Sequence, residues 1–82
     1  MLMKTKEAVK ERILQLCNEH NTNIHALARC SGISPSTLKS IIYGSSLNPG
    51  IVTIKIICDG LGISLIDFFD CELFQNLEQE IE

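Results

Sequence analysis

Residues 23–44, NIHALARCSGISPSTLKSIIYG, decide how this 82-residue chain folds. Asn23 is a good helix N-cap, because its side-chain oxygen can accept from the exposed amides two or three residues on. A helix over about 24–31 follows, with Leu27 and Ala28 inward. Gly32 sits where that helix must stop and the chain turn sharply, since glycine enters positive φ without the steric cost of a Cβ. Ser34-Pro35 restarts the chain, serine as N-cap and proline at the first helical position, where its missing N–H costs nothing. The helix so begun runs to about Tyr43 and ends at Gly44, with Leu38 and Ile41 anchoring its inward side. Ala28 is small where two helices cross, and Ile33 plugs the core just after the turn.

Upstream, Val9, Ile13, Leu16 and Cys17 make the apolar stripe of an amphipathic helix over 5–20, and Asn21-Thr22-Asn23 interrupts it. Downstream, the loop GSSLNPG (44–50) precedes a fourth helix that turns Ile54, Ile57, Cys58 and Leu61 inward. Gly62 closes that helix, and Ser64 caps a fifth with Leu65, Phe68 and Phe69. The acidic tail from Cys71 extends the last helix or frays. The alternation that strands need is absent, and Gly or Pro punctuates at helical lengths. The expectation is an all-α fold: one domain, a compact bundle of five short helices with a core at about 5–70 and an acidic C-terminal extension at about 71–82.

A chain this short holds one core, which excludes a multidomain enzyme. With 45% hydrophobic and 21% charged residues it belongs among folded proteins. No apolar stretch approaches the roughly 20 residues of a membrane span. The opening MLMKTKE lacks the pattern of a secretory signal, so the reading is a cytoplasmic protein. The net charge of −3 conceals an asymmetry: residues 1–55 hold all seven basic side chains and three carboxylates, whereas 56–82 hold seven carboxylates and no Lys or Arg. Such a division can orient a molecule towards a polyanion with its basic part leading. Cys17, Cys30, Cys58 and Cys71 lack the close pairing of a zinc site and the density of a disulfide framework, and read as reduced thiols. No metal and no cofactor is expected.

A short helix, a glycine turn and a second capped helix form the geometry that lays one helix across a phosphate backbone while the next enters the major groove. At this point the chain resembles the lambda-repressor-like helix-turn-helix family, the Cro or Xre type. The resemblance covers about residues 9–70. It rests on Arg12-Ile13 and Leu16, Leu27-Ala28, Ser31-Gly32-Ile33-Ser34, Ser36-Thr37-Leu38, Gly44, Asn48-Pro49, Thr53-Ile54, Ile57 and Leu61-Gly62-Ile63-Ser64 followed by Phe68. Each piece alone is weak; together, in order and at family spacing, they are specific.

The resemblance implies sequence-specific binding of double-stranded DNA by a dimeric transcriptional regulator, a repressor acting on a pseudo-palindromic site. Its base-reading residues would be Pro35, Ser36, Lys39 and Ser40, where Ser can serve either base type and Lys39 can donate to guanine O6 or N7. Backbone contacts would come from Asn23 and Ile24 at the amide end of one helix, from Thr37 and Tyr43, and from Ser45, Ser46 and Asn48 in the following loop. Two positions depart from the family pattern. Ile24 stands where a phosphate-gripping glutamine is common, and Cys17 with Ile42 replaces a frequent arginine–glutamate pair by an apolar contact.

Ile66, Phe69 and Phe74 are assigned to a homodimer interface, because a small domain seldom leaves such groups together in water. The alternative folds Leu73, Phe74, Leu77 and Ile81 back onto their own domain as an extra C-terminal helical turn. His20 and His25 read as ordinary surface or cap-adjacent side chains, and Asp67, Asp70 and Glu72 as part of a solvated tail. Cys30 beside Arg29 has one feature of a redox-sensitive thiol, a neighbouring positive charge. An enzyme is disfavoured, since no nucleophile, base and oxyanion arrangement can be assembled. The competing class is a helix-turn-helix protein-interaction module, such as an antitoxin-like or anti-repressor component.

Overall fold

The computed structural model describes residues 2–44 and 48–81. Among them five helices follow in order: α1 (Thr5–Glu19), α2 (Ile24–Ser31), α3 (Pro35–Tyr43), α4 (Ile51–Leu61) and α5 (Leu65–Phe69), with a 3-10 turn at Glu72–Phe74. There is no strand among the described residues; one isolated parallel bridge joins Met3 to Leu77.

The helix boundaries are chemical and local. Asn23 accepts from the Ala26 amide at 2.9 Å and Ser34 from the Thr37 amide at 3.1 Å, each satisfying an amide that the first helical turn leaves without a partner. The tripeptide Gly-Ile-Ser makes two turns in the same way. Gly32 at φ 72° and Gly62 at φ 74° stand in the left-handed region. The amides of Ile33 and Ile63 then close back on the carbonyls of Ala28 and Cys58, and Ser34 and Ser64 cap the next helix. After α1 the same reversal falls to Asn21 at φ 52°, one of the few residue types besides glycine that tolerates it.

The core is built from every helix: Val9, Ile13, Leu16 and Cys17 of α1, Leu27 and Ala28 of α2, Leu38, Ile41 and Ile42 of α3, Ile54, Ile57 and Cys58 of α4, and Phe68 of α5. Leu61 and Ile33, both expected inward, are half-buried and pack against it. Helix α2 makes its most extensive contact with α4. At that crossing Gly60 meets Ser31 so closely that a Cβ on Gly60 would overlap Ser31 Oγ and stand 3.2 Å from Ser31 Cα. Ser31 Oγ is buried there without a hydrogen-bond partner.

The C-terminal segment neither lengthens α5 nor frays. After the 3-10 turn it runs extended beside the N-terminus, with the Met3 amide donating to Asn76 O at 3.4 Å and the Glu78 amide to Met3 O at 2.9 Å. Phe74 turns back onto the domain, its ring 4.9 Å from that of Phe69 and 6.1 Å from that of Phe68.

Arg12 is the one charged residue inside among the described residues, 8% exposed. Its Nε donates to Phe68 O at 2.7 Å, Nη2 to Asp67 O at 2.8 Å and Nη1 to Gln15 Oε1 at 2.6 Å. Asp67 and Phe68 lie in the last turn of a five-residue helix, where carbonyls have no intrahelical donor, so the guanidinium caps α5 from α1. The N-terminus of α5 carries a capping box between Ser64 and Asp67. Both ends of the shortest helix are thereby fixed.

Candidate nucleic-acid interface

Buried and exposed residues alternate round α3 with helical period. Leu38, Ile41 and Ile42 face the core, while Ser36, Lys39, Ser40 and Tyr43 are exposed and Pro35 is half-buried. Positions 36, 39, 40 and 43 therefore form one polar face along two turns. Lys39 and Tyr43 border a surface groove together with Asn23, Ile24 and His25 from the start of α2. The structure thus brings the expected reading face and the amide end of the preceding helix onto one side of the domain. Asn48 is exposed before α4, whereas Ser45 and Ser46 lie outside the described residues.

Three of these side chains have internal duties that restrict what they can offer a phosphate. The Asn23 oxygen is engaged with the Ala26 amide, which leaves its NH2 group as the outward donor. Ile24 is half-buried against the core, so its side chain packs and only its main-chain amide points out of the helix end. Thr37 Oγ1 lies 2.8 Å from Ser34 Oγ. Phosphate oxygens only accept, so Thr37 has a proton to give one only when Ser34 supplies the proton of the shared bond.

Cys17 and Ile42 are both buried in the common core, 6% and 2% exposed, as an apolar replacement for an ion pair requires. Burial pushes both the Cys17 and the Cys58 thiols above the ordinary value, which suits packing rather than reactivity. Cys30 is exposed and Cys71 half-buried. No group of three or more His, Cys, Asp or Glu side chains is placed to hold a metal ion among the described residues. No helix among them is long and apolar enough to cross a membrane.

A model of the Cro/C1-type HTH DNA-binding domain matches residues 12–73. The chain belongs to this family. Solved structures similar to this Cro/C1-type domain include prophage Lp1 protein 11, 33% identical with a TM-score of 0.79, covering 93% of this chain and 100% of that one. The wild-type restriction-modification controller protein C.Esp1396I is 25% identical with a TM-score of 0.73, covering 84% and 85% of the two chains. An HTH_3 family transcriptional regulator from Vibrio cholerae is 28% identical with a TM-score of 0.73; the match spans 83% of this chain but 38% of that longer one. No curated protein matches.

The three residues assigned to a partner contact differ in exposure. Ile66 is 80% exposed. Phe69 and Phe74 are half-buried and ring-packed in their own domain. The apolar surface around Ile66 is a shallow depression shared with Ile51, Leu65 and Phe69 and bordered by Asp70. Sequence reasoning counted Arg12 among the charges of the basic half without placing it inside. The available signal was its position in the apolar stripe of α1, three residues after Val9 and four before Leu16, where a solvated charge does not belong.

Proposed function

We propose that this Cro/C1-type domain is a transcriptional repressor that binds a pseudo-palindromic DNA site as a homodimer, α3 of each copy lying in the major groove. The observation that carries the reading is the exposed face Ser36, Lys39, Ser40 and Tyr43, backed by a fully buried opposite face and flanked by the amide end of α2. Ser36, Lys39 and Ser40 read base edges, with Pro35 fixing the start of the helix. Asn23, the Ile24 amide, Thr37, Tyr43 and Asn48 hold the phosphates, together with Ser45 and Ser46 of the loop. Two of the similar structures, a restriction-modification controller and a transcriptional regulator, support a regulator of this class.

Dimerisation centres on Ile66. A side chain this exposed and apolar, with Ile51 at 58% exposure beside it, offers a patch on α5 for a second copy. Two reading helices about 34 Å apart would then meet half-sites one helical turn from each other.

Selection of binding sites from a random duplex library tests the reading directly. An enriched two-fold motif is expected, with Lys39→Ala and Ser36→Ala weakening the selected site more than random duplex. Ile66→Asp should yield a monomer in sedimentation that keeps its helical circular-dichroism signal and loses specific binding. Absence of any enriched motif at moderate salt refutes the DNA reading; an unchanged dimer in Ile66→Asp refutes the interface.

A further inference from the structure

The polar face of α3 does not end at Tyr43. Tyr43 borders the groove it shares with Lys39 and the start of α2, and it borders a second groove lined by Lys4, Lys6 and Lys10 of the N-terminal region. The two grooves therefore adjoin at one side chain, itself 64% exposed. Lys10 Nζ stands 5.9 Å from the centroid of the Tyr43 ring, a cation–π contact that joins α1 to the end of α3. The geometry of α1 makes the arrangement regular. Lys6, Lys10, Leu14 and Asn18 follow at intervals of four and occupy one helix face, and Leu14 and Asn18 line the groove that holds Lys39.

Charge follows the same line. The net charge is −3. Yet the strip from Lys39 over Tyr43 to Lys4 collects four of the seven basic side chains and includes one carboxylate, Glu7, with Glu78 and Glu80 bordering Lys4 and Lys6 on its far side. Of the other three, Arg12 is internal and Lys55 is paired with Asp59 on α4. A basic strip on an acidic molecule, adjoining a polar reading face, has the footprint of a phosphate-backbone contact.

We infer that Lys10 and Lys4, with Tyr43 as the seam, form a further contact to the DNA phosphate backbone, carried by α1 and lying beyond the helix-turn-helix itself. The inference rests on the DNA-binding reading above and adds a surface to it. Lys10 supplies the charge, the Tyr43 ring positions its ammonium, and Lys4 extends the contact along the strand flanking the groove. Because a lysine on a phosphate acts as a point charge and reads no base, this contact adds affinity without altering sequence preference.

The test is a salt series of duplex binding by the full chain, read as fluorescence anisotropy. Variants are Lys10→Ala, Lys10→Gln, the double Lys4→Ala/Lys10→Ala, and Lys55→Ala as a loss of equal charge on α4. Each phosphate contact removed should lower the slope of log affinity against log salt by about 0.9. The single variants should therefore lose about 0.9 and the double about 1.8, with the ranking of different duplexes unchanged and Lys55→Ala keeping the parental slope. Parental slopes in the α1 variants overturn the contact while leaving the DNA reading intact, provided the unaltered chain binds. An equal loss in Lys55→Ala overturns it too, by showing that net charge rather than position matters. Failure of the unaltered chain to bind any duplex at low salt overturns both.

Discussion

Replacing Arg12 by Met tests whether α5 depends on a side chain of α1. The methionine retains most of the stem and removes three hydrogen bonds, of which the one to Phe68 O is buried and those to Asp67 O and Gln15 are part-buried. All three acceptors are neutral, so the guanidinium is desolvated without a compensating carboxylate. Its removal recovers that desolvation, and the orphaned carbonyls decide the sign. A hydrogen bond to a charged group contributes about 1.5–3 kcal/mol, and a buried polar atom left unpaired costs about 1–3 kcal/mol. Water can replace the partner of Asp67 O more readily than that of Phe68 O, so the expected loss is about 2–4 kcal/mol. Against a total of roughly 4–12 kcal/mol for a chain of this length, that is a large share. A five-residue helix has no stability of its own, so the damage should concentrate in α5. Urea unfolding followed by circular dichroism should show the lowered midpoint, and amide exchange should show lost protection at Phe68 more than at Leu27. Arg12→Lys should restore less than half, because an ammonium cannot span two carbonyls as the planar fork does. A midpoint for Arg12→Met equal to the parent, with α5 protection intact, would refute the reasoning.

Gly60→Ala gains up to about 1 kcal/mol of helix propensity but forces a methyl into Ser31, where overpacking costs about 1–3 kcal/mol. A net loss of roughly 1–2 kcal/mol is expected in urea unfolding, more than half recovered by Ser31→Gly in the same chain; a stabilised Gly60→Ala would contradict the close crossing. Ser31→Ala removes a buried hydroxyl without a partner and should leave the midpoint unchanged or raised, so a clear loss would reveal a hidden hydrogen bond. The folded state keeps the Cys17 and Cys58 thiols neutral to higher pH than the unfolded chain does, so their contribution is full below the unfolded thiol pKa and is lost as pH rises through the folded one. Stability measured above about pH 8.5 should accordingly fall less steeply in Cys17→Ala/Cys58→Ala, and in the native protein a thiol reagent should modify Cys30 well before either buried thiol. Glu78 and Glu80 line a groove together with Lys4 and Lys6. Glu78→Gln/Glu80→Gln should therefore strengthen binding to random duplex at low salt and not at high salt, and an unchanged low-salt affinity would place the acidic segment away from DNA.

Much of the fold lay in short-range chemistry. Asn23, Ser34 and Ser64 cap helices through amides three residues on, and Gly32 and Gly62 reverse the chain through contacts within one turn, so spacing along the chain was enough to place all five helices. The apolar stripes named the core for the same reason, since the helical period alone sorts the two faces of α1, α3 and α4. The reading face Pro35, Ser36, Lys39 and Ser40 came from the family resemblance instead, and the fold leaves Ser36, Lys39 and Ser40 exposed with Pro35 half-buried. Other features depend on partners that the chain brings close only when folded. Arg12 reaches Phe68 O across 56 positions, and no local pattern states where a guanidinium inside an apolar stripe will find its acceptors. Phe69 and Phe74 looked like spare apolar surface beside Ile66, yet the 3-10 turn and the Met3–Leu77 bridge carry Phe74 back against Phe69 and leave Ile66 as the most exposed of the three. The crossing of α2 and α4 likewise joins Ser31 to Gly60, and the Lys10–Tyr43 contact joins α1 to α3. Propensity and capping are settled within about four residues, whereas the neighbours of a side chain across the core are set by how whole helices pack, and that information exists only once the chain has folded.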